Sequence, residues 1–310
     1  DFGSKAGSYL ATLGGAIPCF DHYDQIWGGN NRVSYETVAD VSGGTENTKY
    51  FISGTWKTDA AIEPGTGFGR QGLRVNVDQK IGSAFDLSVS SVFNRADNDR
   101  GWSNNCNVFA CYGYAVAYIP GFVDLRRQAN GQFINPADAG GVSSNPLQTA
   151  ALARNNSETY RFTGGLTLSW NARVTDRSSL RFIGSGGADL FSQNDQLLTP
   201  NDLFFEVPQA RPGSAVQNNG VSRQQNWNLN GVWTTRTAAT GGMQFTTSGG
   251  LQYEDRQLHS YRVTTDNLVP GQRNIDQGTN VVVAEALTPE RTLAFYGQED
   301  ILLLDDRLLI

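Results

Sequence analysis

Long runs of strict two-residue alternation constrain this chain more than any other feature. In "LRVNVD", Leu73, Val75 and Val77 share one face while Arg74, Asn76 and Asp78 share the other. "FDLSVSSVF" sets Phe85, Leu87, Val89 and Phe93 against Asp86, Ser88, Ser90 and Asn94. "YRFTGGLTLSW" does the same with Tyr160, Phe162, Leu166, Leu168 and Trp170 against Arg161, Thr163, Gly165, Thr167 and Ser169. In "NWNLNGVW", Trp227, Leu229 and Trp233 oppose Asn226, Asn228 and Asn230. A period of two puts successive side chains on opposite faces of a strand, so each run predicts a strand with one apolar and one polar face. Helical periodicity is hard to find.

The connections carry the second constraint. Short turns near 43–48, 79–84, 172–179, 236–242 and 304–307 alternate with long loops near 59–70, 98–156, 194–222 and 260–290. A soluble sandwich has no reason to sort loop lengths by edge, whereas an outer-membrane barrel has short turns on one rim and long loops on the other. Several runs exceed ten residues, against a mode of ~5–6 in globular proteins and ~9–11 for crossing a bilayer. Asn, Thr, Ser, Gln, Arg and Asp on the second face suit a wide, wet or plugged lumen better than a dry core. Tyr35, Tyr50, Trp56, Trp170, Trp227, Trp233 and Tyr253 lie toward strand ends or on the apolar face, compatible with interfacial girdles or with ordinary cross-strand packing.

Composition narrows the function classes. No run in the 310 residues reaches the ~18 consecutive apolar positions of a membrane helix, which leaves a β-barrel open because its strands face lipid on one side only. A net charge of −6 offers no basic stripe for nucleic acid. Two histidines and three cysteines are poor material for a metal site, and no metal or cofactor is expected. His22 and His259 read as surface or lumen residues. Cys106 and Cys111 could close a small loop disulfide in an oxidising compartment, with Cys19 left over. "DNDRG" at 97–101 lacks most of a calcium loop's ligands and reads as a solvated loop start.

Gly67, Gly69 and Gly72 have the G-x-G-x-x-G spacing. A dinucleotide site needs a strand before that motif and a helix after it; here strict period two follows. Gly65, Gly67, Gly69 and Gly72 are therefore read as a flexible loop entering a strand. No Ser/His/Asp order or paired-carboxylate pattern stands out, so catalytic residues are not assigned.

Four segments in order, "VSGGTENTKYFISGTW" at 41–56, "RQGLRVNVDQKIG" at 70–82, "SNPLQTAALARNNSETYRFTGGLTLSW" at 144–170 and "LAFYGQEDILLLDDRLLI" at 293–310, resemble TonB-dependent outer-membrane receptors, and within them the SusC/RagA-type importers. The resemblance implies an all-β fold: a partial antiparallel transmembrane β-barrel, about nine or ten strands of a roughly 22-stranded whole. Residues 1–31 would be a loop or pre-strand segment and 32–310 barrel strands and loops, with the plug domain lying outside this stretch. Such a half-barrel would expose unpaired edges and aggregate or self-pair in water. It further implies active uptake of an oligosaccharide, peptide or siderophore across the bacterial outer membrane, not catalysis. The implied partners are outer-membrane lipid, the TonB complex acting through the plug, and a SusD-type surface lipoprotein.

In that family, ligand is gripped by extracellular loops and the plug. On the loop at 98–156, Trp102, Phe109, Tyr112, Tyr114, Tyr118 and Phe122 are the candidate ligand-binding aromatics; they equally suit packing the loop against itself. Two other functions stay open: a secreted or surface all-β carbohydrate-active enzyme, and a non-transporting barrel or adhesin.

Overall fold

The computed structural model describes residues 3–102, 110–237, 242–303 and 308–310. They form one antiparallel sheet whose ten strands pair in sequence order. The strands are β1 (Tyr35–Gly44), β2 (Thr48–Ala60), β3 (Thr66–Ile81), β4 (Phe85–Arg100), β5 (Arg154–Val174), β6 (Ser178–Thr199), β7 (Ser214–Arg236), β8 (Gln244–Leu268), β9 (Gly278–Leu303) and β10 (Leu308–Leu309). The sheet does not close: among the described residues, β1 and β10 each pair on one side only. This is a partial barrel, as the alternation predicts.

Residues paired across an antiparallel ladder share a face, so the register assembles the alternating runs into one surface. Val77, Val89, Leu166, Gly186, Trp227, Tyr253 and Leu293 form one transverse row. Leu87, Leu168, Gly184, Leu229, Leu251 and Phe295 form the next. On β5 the apolar band runs from Phe162 to Trp170, about eight steps of ~3.3 Å. With a tilt of ~40° this is roughly 20 Å, near the ~25 Å band of an outer-membrane barrel. Phe85, Trp170 and Phe182 stack along its lower margin, centroids 5.9 and 5.6 Å apart.

The large apolar side chains of this band are not covered: Leu166, Leu168 and Trp170 are 42%, 40% and 43% exposed. Among the described residues no second layer packs on them, which distinguishes the sheet from a sandwich. The buried core lies elsewhere, in the segments at one edge. Ile26, Val116, Ile119, Val123, Leu125 and Ala139 make one cluster, and Ala110, Leu203 and Phe205 another.

Two readings of the connections need correction. The long loops are shorter than expected, covering 61–65, 101–153, 200–213 and 269–277, because the strands run on far past the apolar band. Beyond it, on β4 and β7, both faces are largely polar, so the hydrophobic period vanishes while the backbone ladder continues undisturbed. Gly67, Gly69 and Gly72 accordingly lie inside β3, paired with Ala60, Thr58 and Thr55, not in a loop. Of the four, Gly65 alone takes the left-handed backbone (φ 70°), in the short connection. Asp97 and Asp99 likewise lie within β4, where Asp97 meets Arg95 at 3.1 Å and Asp99 accepts from Asn156 at 2.8 Å. The short turns at 45–47, 82–84 and 175–177 stand as expected, and 304–307 lies outside the described residues. Before β1, residues 3–31 carry a helix, α1 (Gly3–Thr12), and a π-helical turn (Asp24–Gly28).

Candidate functional site

All long connections emerge at one rim, where 3–34, 110–153 and 200–213 fold over one another. The 101–153 connection contains α2 (Tyr112–Val116) and α3 (Pro146–Leu152). α3 starts where it does because Pro146 pre-sets the first turn and Asn145 caps it. The Asn145 side chain accepts from the amides of Leu147 (3.0 Å) and Gln148 (3.3 Å). Its Nδ2 donates to the carbonyls of Leu125 (3.0 Å) and Ile134 (3.1 Å). One fully buried amide thus ties three stretches of the loop together.

The segment before β1 is latched to this loop. His22 is buried and its Nε2 lies 2.8 Å from the Val123 carbonyl, so it is neither surface nor lumen. Gln25 donates to Asp124 (2.9 Å) and accepts from the Leu125 amide (3.1 Å), and Ile26 enters the cluster of Val116 and Val123. Hydrogen bonding to Arg126 holds the Asp124 carboxyl below its usual range against the opposing effect of burial. A depressed folded pKa contributes stability above the unfolded value of about 3.9 that is lost as pH falls through the folded one. Hydrogen exchange in the intact protein should therefore show segment 3–31 loosening below about pH 3.9; unchanged protection there would contradict the latch.

The aromatic candidates divide. Trp102 packs beside Ala110, Leu203 and Phe205. Tyr112 is buried, with its amide on the Trp102 carbonyl (3.1 Å) and its hydroxyl on the Pro64 carbonyl (3.3 Å). Burial, reinforced by the charge of Glu63, pushes that phenol well above the ordinary range. Phe122 packs on the Ile26 cluster, 6.0 Å from the Tyr9 ring. Tyr114 and Tyr118 stay 43% and 50% exposed and meet edge to face at 5.4 Å. Phe109 and Cys106 lie outside the described residues; Cys111 is buried and Cys19 is a free, exposed thiol. Among the described residues no three His, Cys, Asp or Glu side chains gather as a metal site.

Below the rim, the polar face carries charges that are mostly compensated. Arg161 bonds Asp189 through Nε at 3.0 Å, Arg100 meets Asp195 at 3.2 Å, and Arg256 lies between Glu254 and Glu290 at 3.8 and 3.7 Å. Lower down, Asn226, Asn228 and Asn230 line the same face, and Tyr296 donates to Asn230 at 2.8 Å. Asn145 and Gln25 escaped notice in the sequence, and His22 was placed at the surface or in the lumen. For Asn145 a signal existed, an Asn directly before Pro at a helix start; for the latch there was none, because its partners lie about a hundred residues away.

No family model matches the chain, and no curated protein does. Solved structures do. The RagAB peptide importer in its "open-open" state superposes with TM-score 0.58 at 12% identity, over 87% of this chain and 30% of that one. Its "closed-closed" state gives TM-score 0.56 at 12% identity, over 86% and 30%. The siderophore receptor PiuA from Acinetobacter baumannii is matched at TM-score 0.42 and 10% identity, over 86% and 38%. The chain thus spans about 30% of the length of the RagAB chains it matches, and its open ten-stranded sheet has the fold of that part of them.

Proposed function

We propose that this chain is a barrel segment of a SusC/RagA-type, TonB-energised outer-membrane importer of a nutrient ligand: an oligosaccharide, peptide or siderophore. The observation that carries this is the single uncovered apolar band, with every long connection gathered at one rim and a polar face behind it. The band would face lipid, the polar face would surround a plug supplied by the rest of the protein, and the rim would point outward toward a SusD-type surface lipoprotein. The complete protein should fractionate with the outer membrane and migrate in a heat-modifiable way, and its ligand uptake should stop when TonB is deleted. Recovery as a water-soluble monomer would overturn the reading.

Within that function, Tyr114 and Tyr118 are the ligand-facing aromatics, while Trp102, Tyr112 and Phe122 hold the loop in shape; Phe109, outside the described residues, is proposed as a further ligand contact. Replacing Tyr114 and Tyr118 together by Ala should weaken ligand binding by about tenfold or more, since stacking aromatics each contribute roughly 1 kcal/mol. Unchanged affinity in an uptake-competent variant would remove them from the site. The Cys106–Cys111 bridge is also proposed, and peptide mass mapping without reductant should recover the linked pair.

A further inference from the structure

The apolar band has an interruption that the importing function does not use. Across β4–β7 one transverse row reads Ser91, Gly164, Ala188 and Gln225, between rows rich in large side chains. The neighbouring rings close over the gap. A Cβ on Gly164 would sit 2.8 Å from the Phe162 ring, and one on Gly186 would run into the Trp227 ring. The result is a depression of about 350 Å³ with a glycine and alanine floor and walls from Phe162, Leu166 and Trp227. Phe162 and Gln225 also line a second hollow, about 440 Å³, bounded by Tyr160, Ser192 and Arg223.

Arg223 shares a row with Leu190 at the upper margin of the band. It makes no ion pair among the described residues. On the same face Arg95 is neutralised by Glu158 (2.7 Å) and Asp97, and Arg291 by Asp255 (3.2 Å). Farther up that face lies a cleft of about 480 Å³ where Gln196, Gln217 and Asn274 stand beside Asp276, with Arg273 lying 3.8 Å from Asp202 and Arg154 making no ion pair among the described residues. From the band toward the rim, one outward face therefore offers an apolar groove, an uncompensated cation, and then amides with one further uncompensated cation, Arg154.

We infer that this face of β4–β7 binds one phosphorylated, acylated glycolipid of the outer leaflet: an acyl chain in the Gly164–Ala188 groove, a phosphate on Arg223, and sugars toward the Arg154 cleft. The ordering by depth selects this occupant. A phospholipid would fill the groove and reach Arg223, but would leave the polar cleft above without a partner. Cationic side chains left unpaired beside a lipid surface attract anionic head groups.

The inference rests on the outer-membrane barrel reading, and the test separates the two. The complete protein, purified in mild detergent and stripped of lipid, is first checked for heat-modifiable migration; its absence sinks the barrel reading. Bis-phosphorylated lipid A, its dephosphorylated form and phosphatidylglycerol are then titrated against the barrel and adducts counted by native mass spectrometry. A one-to-one lipid A adduct is expected, weakened about tenfold or more by Arg223→Glu and by removal of the phosphates, because a charge-assisted contact is lost. Ala188→Phe, which fills the groove, should weaken it as well, whereas Thr167→Ala on the opposite face should not. Equal binding of phosphatidylglycerol, or a wild-type adduct in both Arg223→Glu and Ala188→Phe proteins that still migrate as barrels, would overturn the proposal.

Discussion

Leu166→Arg is expected to block assembly of the complete protein in the outer membrane, while Thr167→Arg, one residue along, leaves it nearly intact. Leu166 sits at the middle of the apolar band on β5, half-way between Phe162 and Trp170, and lies between Val89 and Gly186 in its row. If lipid covers that face, an arginine there costs about 2–4 kcal/mol at the bilayer midplane, a large share of the ~5–15 kcal/mol that typically separates folded from unfolded protein. Thr167 pairs with Ser88 and Ser185 on the polar face, where a long cation reaches water. The measurement is the folded fraction in outer membranes, read by heat-modifiable migration. Equal loss for both variants would mean that the two faces are not differently solvated and would undo the barrel argument at its root.

Asn145→Ala should have the largest effect among the loop residues. It removes the acceptor that caps α3 and the two donors that tie the Leu125 and Ile134 carbonyls. Loss of a cap costs roughly 1 kcal/mol, and leaving buried carbonyls unpaired adds about 1 kcal/mol or more each, so a local cost of about 2–4 kcal/mol is expected. The strands do not depend on this amide, and the damage should stay at the rim: faster proteolysis within 110–153 and lost hydrogen-exchange protection around α3, with the barrel still formed. Asn145→Asp keeps the cap but loses both donors, and so should remain impaired. Unaltered protection in Asn145→Ala would show that the loop is held by its apolar clusters alone. Because the Ile26 and Val116 cluster stands on the same loop, ligand affinity should fall with its order.

Much of the strand layer was legible in the residues themselves. Leu73, Val75 and Val77 against Arg74, Asn76 and Asp78 give faces without any knowledge of partners, since the period of two is a property of extended backbone. The same signal failed above Phe93, Leu190 and Trp227, where strands continue with polar side chains on both faces and only the hydrogen-bonded ladder marks them. It also failed for the glycines of β3, where loop composition and strand geometry disagree and pairing with β2 decides.

The candidate site was less legible. Trp102, Tyr112, Tyr114, Tyr118 and Phe122 were visible as aromatics on a loop, but which are spent on packing depends on contacts with Pro64, Leu203 and Ile26, remote in the chain. The amino-acid sequence by itself determined that this protein builds two-faced strands with unequal connections, because alternation and turn length are local. Only the tertiary structure decided the register that makes one uncovered apolar band, the burial of His22, Tyr112 and Asn145, and the exposure of Tyr114 and Tyr118. Those depend on which distant segments exclude water from one another.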